Sequence, residues 1–211
     1  MSLPSLHAVL TGDIVNSTLL SPEMEKSLLE ALRELLSPYL TEFYRGDSFQ
    51  VYLKEPAVAL RLALACRVLA IHRTPGEGEL PVSDIRISIG IGTVVLPVEK
   101  PGMAKGEAFI RSGHQFDDMQ WSEERLAISS GHDIADIGLD VMAAYLDSIC
   151  KGMTTKQAEA VAGLLQEKTQ QEIAQQLGKS KSTVSQLVSA ARWPEIQRIL
   201  YQFEKLINQL V

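Results

Sequence analysis

A strict alternation of side chains over residues 84–94 limits the fold of this chain more than any other pattern. A period of two is typical of a β-strand with one buried face, so the segment predicts a strand inside a sheet. One face carries isoleucine at positions 85, 87, 89 and 91, and the other carries Arg86, Ser88, Gly90 and Gly92. Two glycines on one face leave room for a close neighbour, which is either a ligand or a packed helix.

The predicted elements up to this strand follow the order β-α-β-β-α-β. A strand at 7–13 precedes an amphipathic helix over Pro22–Leu36, for which Ser21 is a suitable N-cap and Pro22 a suitable first-turn residue. Two strands flank the Gly46-Asp47 turn, and a second helix spans 57–72. This is the ferredoxin-like split βαβ arrangement, in which helices cover an antiparallel sheet. The sequence therefore predicts an α+β domain over residues 1–150.

A strand at 125–131 and a helix at 132–149 are expected to complete that domain. We interpret the four aspartates of this helix, at positions 133, 136, 140 and 147, as a solvent-exposed face. The opposite face is then apolar and is predicted to point inward; its members are Ile134, Ile137, Val141, Met142 and Leu146.

Two Gly-Asp pairs lie at the ends of neighbouring strands of the predicted sheet. Because the first and third strands pair in the split βαβ topology, Asp13 and Asp47 are expected to meet at one edge. Two adjacent carboxylates repel each other unless a cation joins them, and magnesium prefers such oxygen ligands. Gly-Asp is also a common turn dipeptide, so the sequence leaves two interpretations open: a shared metal site or two turn residues.

Residues 151–211 have the pattern of an all-α domain. Thr154 and Thr169 are each followed three residues later by Gln or Glu, which is the signature of a capping box at a helix start. Gly178 ends the second of these helices, and Ser180 is placed to cap a third.

The spacing of Ala174, Gly178 and Val184 is that of a helix-turn-helix, and it resembles the fourth region of bacterial sigma factors. The alternative is a three-helix bundle that does not bind DNA. In a helix-turn-helix, the third helix enters the major groove of double-stranded DNA, where a glutamine can bond an adenine edge and lysines or arginines contact phosphates. The predicted DNA-binding residues are Lys168, Lys179, Ser180, Lys181, Ser182, Ser185, Gln186, Ser189 and Arg192.

The charge is divided unevenly between the two predicted domains. Residues 1–150 carry 12 Lys and Arg and 21 Asp and Glu, a balance of −9, whereas residues 151–211 carry 8 and 5, a balance of +3. A basic C-terminal domain fits a polyanionic partner. Since the excess is small, one copy would bind weakly, and we expect a homodimer on a paired site. The apolar stripe of the last helix fits either packing on its own chain or a dimer seam.

The segments "TGDIVNST", "YRGDSFQVY" and "IRISIGIG" resemble, in order and spacing, the palm-like core of class III nucleotide cyclases. The resemblance implies that Asp13 and Asp47 hold metal ions. It also implies a phosphate or nucleotide loop made of Ile14, Val15, Asn16, Ser17 and Thr18. Phe43, Ile110 and His114 stand where those enzymes have a purine-reading Lys, an Asn and an Arg. The resemblance therefore implies a cyclase-like domain that is catalytically degenerate.

The whole chain resembles the SatD-like bacterial family. The shared features are Gly12-Asp13, the Gly46-Asp47-Ser48-Phe49-Gln50 hairpin, the Gly106-Glu107-Ala108-Phe109 stretch and the C-terminal helix-turn-helix. This resemblance implies a cyclase-like palm domain followed by a DNA-binding domain, and it implies more about organisation than about activity.

These features together predict a transcriptional regulator with a ligand- or metal-sensing domain, which binds DNA as a homodimer. The two cysteines lack metal-binding spacing, and no apolar run reaches the length of a membrane span. The expected location is therefore the cytoplasm, with no membrane partner. The alternative is a divergent nucleotide cyclase or another magnesium-dependent phosphoryl-transfer enzyme with a helical appendage. In a third interpretation, the palm domain is a metal-free dimerisation module.

Overall fold

The computed structural model describes residues 5–44 and 46–210, and its first part is built on a five-stranded mixed sheet. The sheet order is β2-β3-β1-β4-β5. Strand β1 pairs antiparallel with both β3 and β4, and β5 is added parallel to β4. The first four strands have the predicted split βαβ order, and the α+β fold is confirmed. The strands are β1 His7–Val15, β2 Leu40–Tyr44, β3 Ser48–Leu53, β4 Asp84–Gly92 and β5 Leu126–Ser129.

The described residues form eight α-helices, and the first begins as the sequence predicts. The Ser21 side chain accepts a hydrogen bond from the Met24 amide at 3.2 Å, and Pro22 occupies the first turn. None of the helices is long and apolar enough to cross a membrane. The helices are α1 Pro22–Leu36, α2 Ala59–Arg73, α3 Glu107–Asp118, α4 Asp133–Lys151, α5 Thr155–Leu165, α6 Gln170–Gln176, α7 Lys181–Ala190 and α8 Trp193–Leu210.

The two faces of β4 are covered by different helices. The four isoleucines of the strand are fully buried in a core that they share with α1, α2 and α4. On the other face, α3 packs so closely that a Cβ atom at Gly90 would collide with the backbone of Ala108 and Ser112. The Ser88 hydroxyl donates to the Ser112 carbonyl oxygen at 2.7 Å. The close neighbour that the glycines predict is therefore a helix.

A buried group of charges joins α2, β4 and α4. Arg67 is fully buried, and its guanidinium donates two hydrogen bonds to Asp84, at 3.2 and 2.6 Å. Its Nη1 also lies 2.8 Å from an oxygen of Asp147, off the hydrogen-bonding direction. At the edge of the group, Arg125 pairs with Asp84 at 3.1 Å and Lys151 pairs with Asp147 at 2.9 Å. Each buried charge therefore has an opposite charge beside it.

The environment of Asp84 favours its ionised form. Burial by itself would raise the pKa of this carboxyl, but the Arg67 guanidinium and the Ile85 amide hold the pKa below its ordinary value. Asp84 therefore contributes stability above the ordinary carboxyl pKa. That contribution is lost as the pH falls through the lowered pKa of the folded state.

The C-terminal helices continue the same hydrophobic core. Ala158, Val161 and Leu165 of α5 belong to the cluster that contains the isoleucines of β4. Helix α8 adds four fully or almost fully buried side chains, Ile196, Leu200, Phe203 and Ile207. The sequence left open whether the apolar stripe of α8 packs on its own chain or forms a dimer seam. The stripe packs on its own chain.

The predicted orientation of α4 is wrong for three of its five apolar residues. Leu146 is buried and Met142 is partly buried, but Ile134, Ile137 and Val141 are 87%, 70% and 64% exposed. The aspartates were also misassigned in part. Asp147 is buried beside Arg67, and the Asp136 carboxylate accepts hydrogen bonds from the amides of residues 130 and 131. Pairing of Asp147 with Arg67 turns the isoleucines outward.

We expect the substitution Arg67→Met to lower the free energy of unfolding by about 3–5 kcal/mol, because it leaves two buried carboxylates without their shared partner. Arg61→Met on the same helix is the matched control. Arg61 is partly exposed and its pair with Glu204 spans 3.6 Å, so its loss should be less than about 1 kcal/mol. Urea unfolding of both variants measures the difference, and equal losses would contradict a special role for Arg67.

Candidate functional site

Helices α5, α6 and α7 form a compact three-helix unit. Both predicted capping boxes are present: Thr154 accepts from the Gln157 amide at 3.3 Å, and Thr169 accepts from the Glu172 amide at 3.3 Å. Gly163 of α5 lets α6 approach, since a Cβ atom there would lie 2.7 Å from a side-chain carbon of Ile173. The unit has its own small core of Ala160, Ile173, Ala174, Val184 and Val188.

The turn between α6 and α7 has the geometry that the sequence predicts. Gly178 is left-handed, with φ of 60°. The Lys179 amide donates to the Ala174 carbonyl at 2.9 Å, and the Gly178 amide donates to the Gln175 carbonyl at 3.3 Å, which is a Schellman ending. Ser180 then caps α7 by accepting from the Thr183 amide at 3.0 Å. Hydrogen bonds of the local backbone therefore fix the direction in which α7 leaves the turn.

Helix α7 has one buried and one exposed face. Val184 and Val188 point into the small core, and Leu187 is partly buried beside them. The opposite face is exposed and has the i, i+3, i+4, i+7 spacing of a single helical stripe. It consists of four predicted DNA-binding residues, Ser182, Ser185, Gln186 and Ser189. Their hydroxyl and amide groups can donate and accept hydrogen bonds, which suits the edges of bases.

The predicted basic contacts are not equivalent. Lys181 is exposed at the first turn of α7, and Lys179 is half-buried in the preceding turn. The ammonium group of Lys168 donates to the Gln176 side chain at 2.8 Å. Arg192 packs its guanidinium 5.0 Å from the centre of the Tyr145 ring, donates to the Tyr145 hydroxyl and pairs with Glu195 at 3.3 Å. Arg192 is therefore held against α4 and α8, away from the polar stripe of α7.

The two aspartates lie at one edge of the sheet, as the topology implies. Asp13 pairs with Ser48 in the β1–β3 register, and Ser48 is the residue that follows Asp47 in the chain. Both carboxylates have partners in the chain. Arg86 donates to the two oxygens of Asp13 at 3.2 and 2.7 Å, and the Ser17 hydroxyl donates to Asp47 at 3.0 Å. The Arg86 guanidinium therefore supplies the positive charge beside Asp13.

The described side chains around this edge form no cluster of three metal ligands. Among residues 5–44 and 46–210, no group of three or more His, Cys, Asp or Glu is close enough to hold a metal ion. The Phe116 ring covers Arg86, with the guanidinium carbon 5.1 Å from the ring centre. A cation here would have to displace Arg86 from Asp13.

The predicted phosphate loop is folded onto its own chain. The Ile14 amide donates to the Asp47 carbonyl at 3.3 Å, and Val15 is the last residue of β1. Asn16 is left-handed, with φ of 59°, and its side chain donates to the Val82 carbonyl at 3.4 Å. The Ser17 hydroxyl donates to Asp47, and the exposed polar residues of the five are Asn16 and Thr18.

The three residues that depart from the cyclase pattern do not converge on the aspartates. Phe43 packs against Phe49, with ring centres 5.9 Å apart, and Arg33 covers its other side. Ile110 and His114 lie on the exposed side of α3. Arg111 on the same helix could have replaced a missing cation, but it donates to the Ile91 carbonyl at 2.6 Å and is anchored to β4.

The sequence interpretation missed two further features. His7 is buried, and its Nδ1 lies within hydrogen-bonding distance of the Tyr52 hydroxyl, at 3.1 Å. A cavity of about 930 Å³ lies between α1, α2 and α5, and Leu62 and Leu69 of α2 are among the residues that line it. His72 lines it, and burial lowers the pKa of this imidazole to about 4. Its ring is therefore neutral at physiological pH. No local motif marks a cavity that three distant helices enclose.

A protein-family model matches the C-terminal part of the chain. Residues 154–192 match the protein-family model described as Sigma-70, region 4. This span contains α5, α6 and α7 with both capping boxes and the Gly178 turn. The C-terminal part therefore has a helix-turn-helix that is similar to this DNA-binding domain. No curated protein matches the sequence.

Two solved structures, each described as a bacterial light-regulated adenylyl cyclase, are similar to the chain at low identity. The first is 13% identical with a TM-score of 0.40, over 64% of this chain and 81% of that chain. The second is 14% identical with a TM-score of 0.37, over 60% of this chain and 43% of that chain.

We expect Gly178→Ala to destabilise the protein by about 1 kcal/mol, because a side chain is strained at positive φ. Gly113→Ala is the matched control. Gly113 lies inside α3 with open space around its Cβ position, so alanine should stabilise that helix by up to about 1 kcal/mol. Thermal unfolding of the two variants should shift in opposite directions, and a shift in the same direction would contradict the assignment of the turn.

Proposed function

We propose that the protein is a DNA-binding transcriptional regulator in which α7 enters the major groove of duplex DNA. The supporting observation is the coincidence of the sigma-70 region 4 match with a capped helix whose exposed stripe is entirely polar. An α-helix with its side chains is about 10–12 Å wide, and the major groove admits an element of that width. The stripe of Ser182, Ser185, Gln186 and Ser189 would then face the bases.

The residues of the interface have two roles in this proposal. Gln186 pairs with an adenine edge through its amide, and the three serines make weaker base contacts. Lys168, Lys179, Ser180 and Lys181 contact phosphates, which sets the position of α7 without reading sequence. Arg192 acts differently from the others: its contacts with Tyr145 and Glu195 orient the end of α7.

The N-terminal domain is proposed to sense a ligand and not to catalyse a reaction. A nucleotide or another phosphate-bearing molecule is the ligand class that the cyclase and SatD-like resemblances imply. The domain shares one hydrophobic core with α5 and α8, and the cavity between α1, α2 and α5 is lined by both parts of the chain. A ligand bound there would contact α5 directly and bias the position of α7.

We expect Lys181→Ala and Gln186→Ala to weaken DNA binding in different ways. Loss of a phosphate contact should reduce affinity for all sequences and lower the salt slope by about 1. Loss of the glutamine should cost about 1–3 kcal/mol on the preferred site and little on other sequences. Selection from random duplexes defines the site, and fluorescence anisotropy at several salt concentrations measures both effects.

Lys205→Ala is the control for the lysine variant, because Lys205 is exposed on α8, outside the matched residues. It should leave affinity and salt slope unchanged. If selection enriches no sequence and the full chain shows no binding at low salt, the three helices are an interaction module and the regulator proposal fails.

The rival function is a magnesium-dependent phosphoryl-transfer enzyme. The observation in its favour is that Asp13 and Asp47 occupy adjacent positions at one sheet edge. The observation against it is the two-pronged contact of Arg86 with Asp13. Magnesium binding at this edge therefore remains a proposal, and it requires release of Arg86.

We expect magnesium to raise the melting temperature of Arg86→Gln more than that of the parent protein, because the substitution frees the Asp13 carboxylate for a cation. The double variant with Asp13→Asn should lose this response. Differential scanning fluorimetry over a magnesium titration measures all three. If neither the parent nor Arg86→Gln responds, the two aspartates are structural residues and the rival function loses its support.

A further inference from the structure

Helix α4 carries an apolar face that no described part of the chain covers. Ile134, Ile137 and Val141 are 87%, 70% and 64% exposed, and Tyr145 is 37% exposed. Their spacing of three, four and four residues places them on a single stripe about three turns long. Single exposed apolar residues are common, but an aligned set along one helix marks an interaction surface. We call this stripe, together with Gly138, the α4 face.

Gly138 lies in the middle of the α4 face, where no contact with the described residues requires a glycine. A Cβ atom at this position would meet no atom within 4 Å. Glycine inside a helix is less favourable than alanine because it loses more backbone freedom. The residue does allow a second helix to approach the backbone of α4 closely. The apolar stripe and the glycine at its centre therefore point to a helix as the partner.

The charges along α4 indicate that the partner helix is α4 of a second copy. The N-terminal half carries two exposed aspartates, Asp133 and Asp140, whereas the C-terminal end holds the Arg192 guanidinium on Tyr145. An antiparallel pair of α4 helices would place Asp133 of each copy near the Tyr145 and Arg192 end of the other. A parallel pair would place the two aspartates beside their own copies. Charge complementarity therefore favours self-association about a two-fold axis.

We propose that the α4 face binds the α4 face of a second copy, with the two helices antiparallel and crossing near Gly138 and Val141. The inference rests on the dimeric state of the proposed regulator and specifies its surface. Helix α4 leads into α5 after three residues, and Tyr145 contacts Arg192 beyond α7. Pairing at α4 would therefore fix the separation of the two recognition helices, as binding to paired half-sites requires.

The first test is the dimer dissociation constant of the full-length protein, measured by sedimentation equilibrium without DNA. The wild type should dimerise. Val141→Asp should raise the dissociation constant by at least about tenfold, because each dimer would bury two unpaired carboxylates. Val95→Asp is the matched control, since Val95 is also 64% exposed but lies in the loop after β4. Circular dichroism confirms that both variants are folded.

The second test is cross-linking through single introduced cysteines, with the buried Cys66 and Cys150 left in place. Gly138→Cys and Val141→Cys lie near the proposed crossing point and should form disulfide-linked dimers under mild oxidation. Ile134→Cys should not. In the antiparallel pair the two positions 134 are about 16 Å apart along the helix axes, whereas a disulfide requires Cα atoms within about 7 Å.

Three outcomes overturn the proposal: a monomeric wild type, a dimer that survives Val141→Asp, or equal cross-linking at 134, 138 and 141. Dimerisation is measured without DNA, so its failure is distinct from failure of the proposed function. A dimer that Val141→Asp dissociates, and that binds no DNA, supports the α4 face and contradicts the regulator.

Discussion

The buried pairs of Arg67 with Asp84 and Asp147 are the interaction on which the arrangement of the two halves depends. Ions removed from water are unstable unless opposite charges and hydrogen bonds replace the solvent. Arg67 can satisfy both carboxylates only if α2, β4 and α4 meet at one point. This condition fixes the rotation of α4 about its axis. The chain passes from α4 into α5 through a short link, so the same condition sets where the helix-turn-helix begins.

Helix α2 contacts both the sheet of the proposed sensing domain and the C-terminal helices of the proposed DNA-binding domain. One side of α2 packs on the sheet and another contacts α5 and α8, so it is buried over most of its circumference. A close-packed interior transmits displacements because it has few voids to absorb them. A change at the cavity between α1, α2 and α5 would therefore move the helix-turn-helix relative to the sheet. This packing would be the physical basis for the proposed coupling between a ligand and DNA.

The polar groups of the molecule are used in two different ways. At the end of β1, the side chains of Asp13, Asp47 and Ser17 form hydrogen bonds with neighbours in the chain. An external ligand would have to compete with these partners. Along α7, the Ser180 side chain caps the helix start, and the side chains of the exposed stripe point to solvent. A surface with unengaged donors and acceptors on a rigid helix is ready to bind a partner without rearrangement. This contrast is why α7 carries the proposed function.

The sequence by itself determined the local structure, including strand alternation, the Ser21, Thr154, Thr169 and Ser180 caps and the turn at Gly178. These features depend on hydrogen bonds and backbone preferences within a few residues, and the helix-turn-helix followed from them. The tertiary structure alone decided that Arg86 neutralises Asp13 and that α4 turns its isoleucines outward. Helix α4 is apolar on two sides, so periodicity could not choose its buried face. That choice was made by a single buried arginine, 80 residues earlier in the chain, whose charge had to be paired.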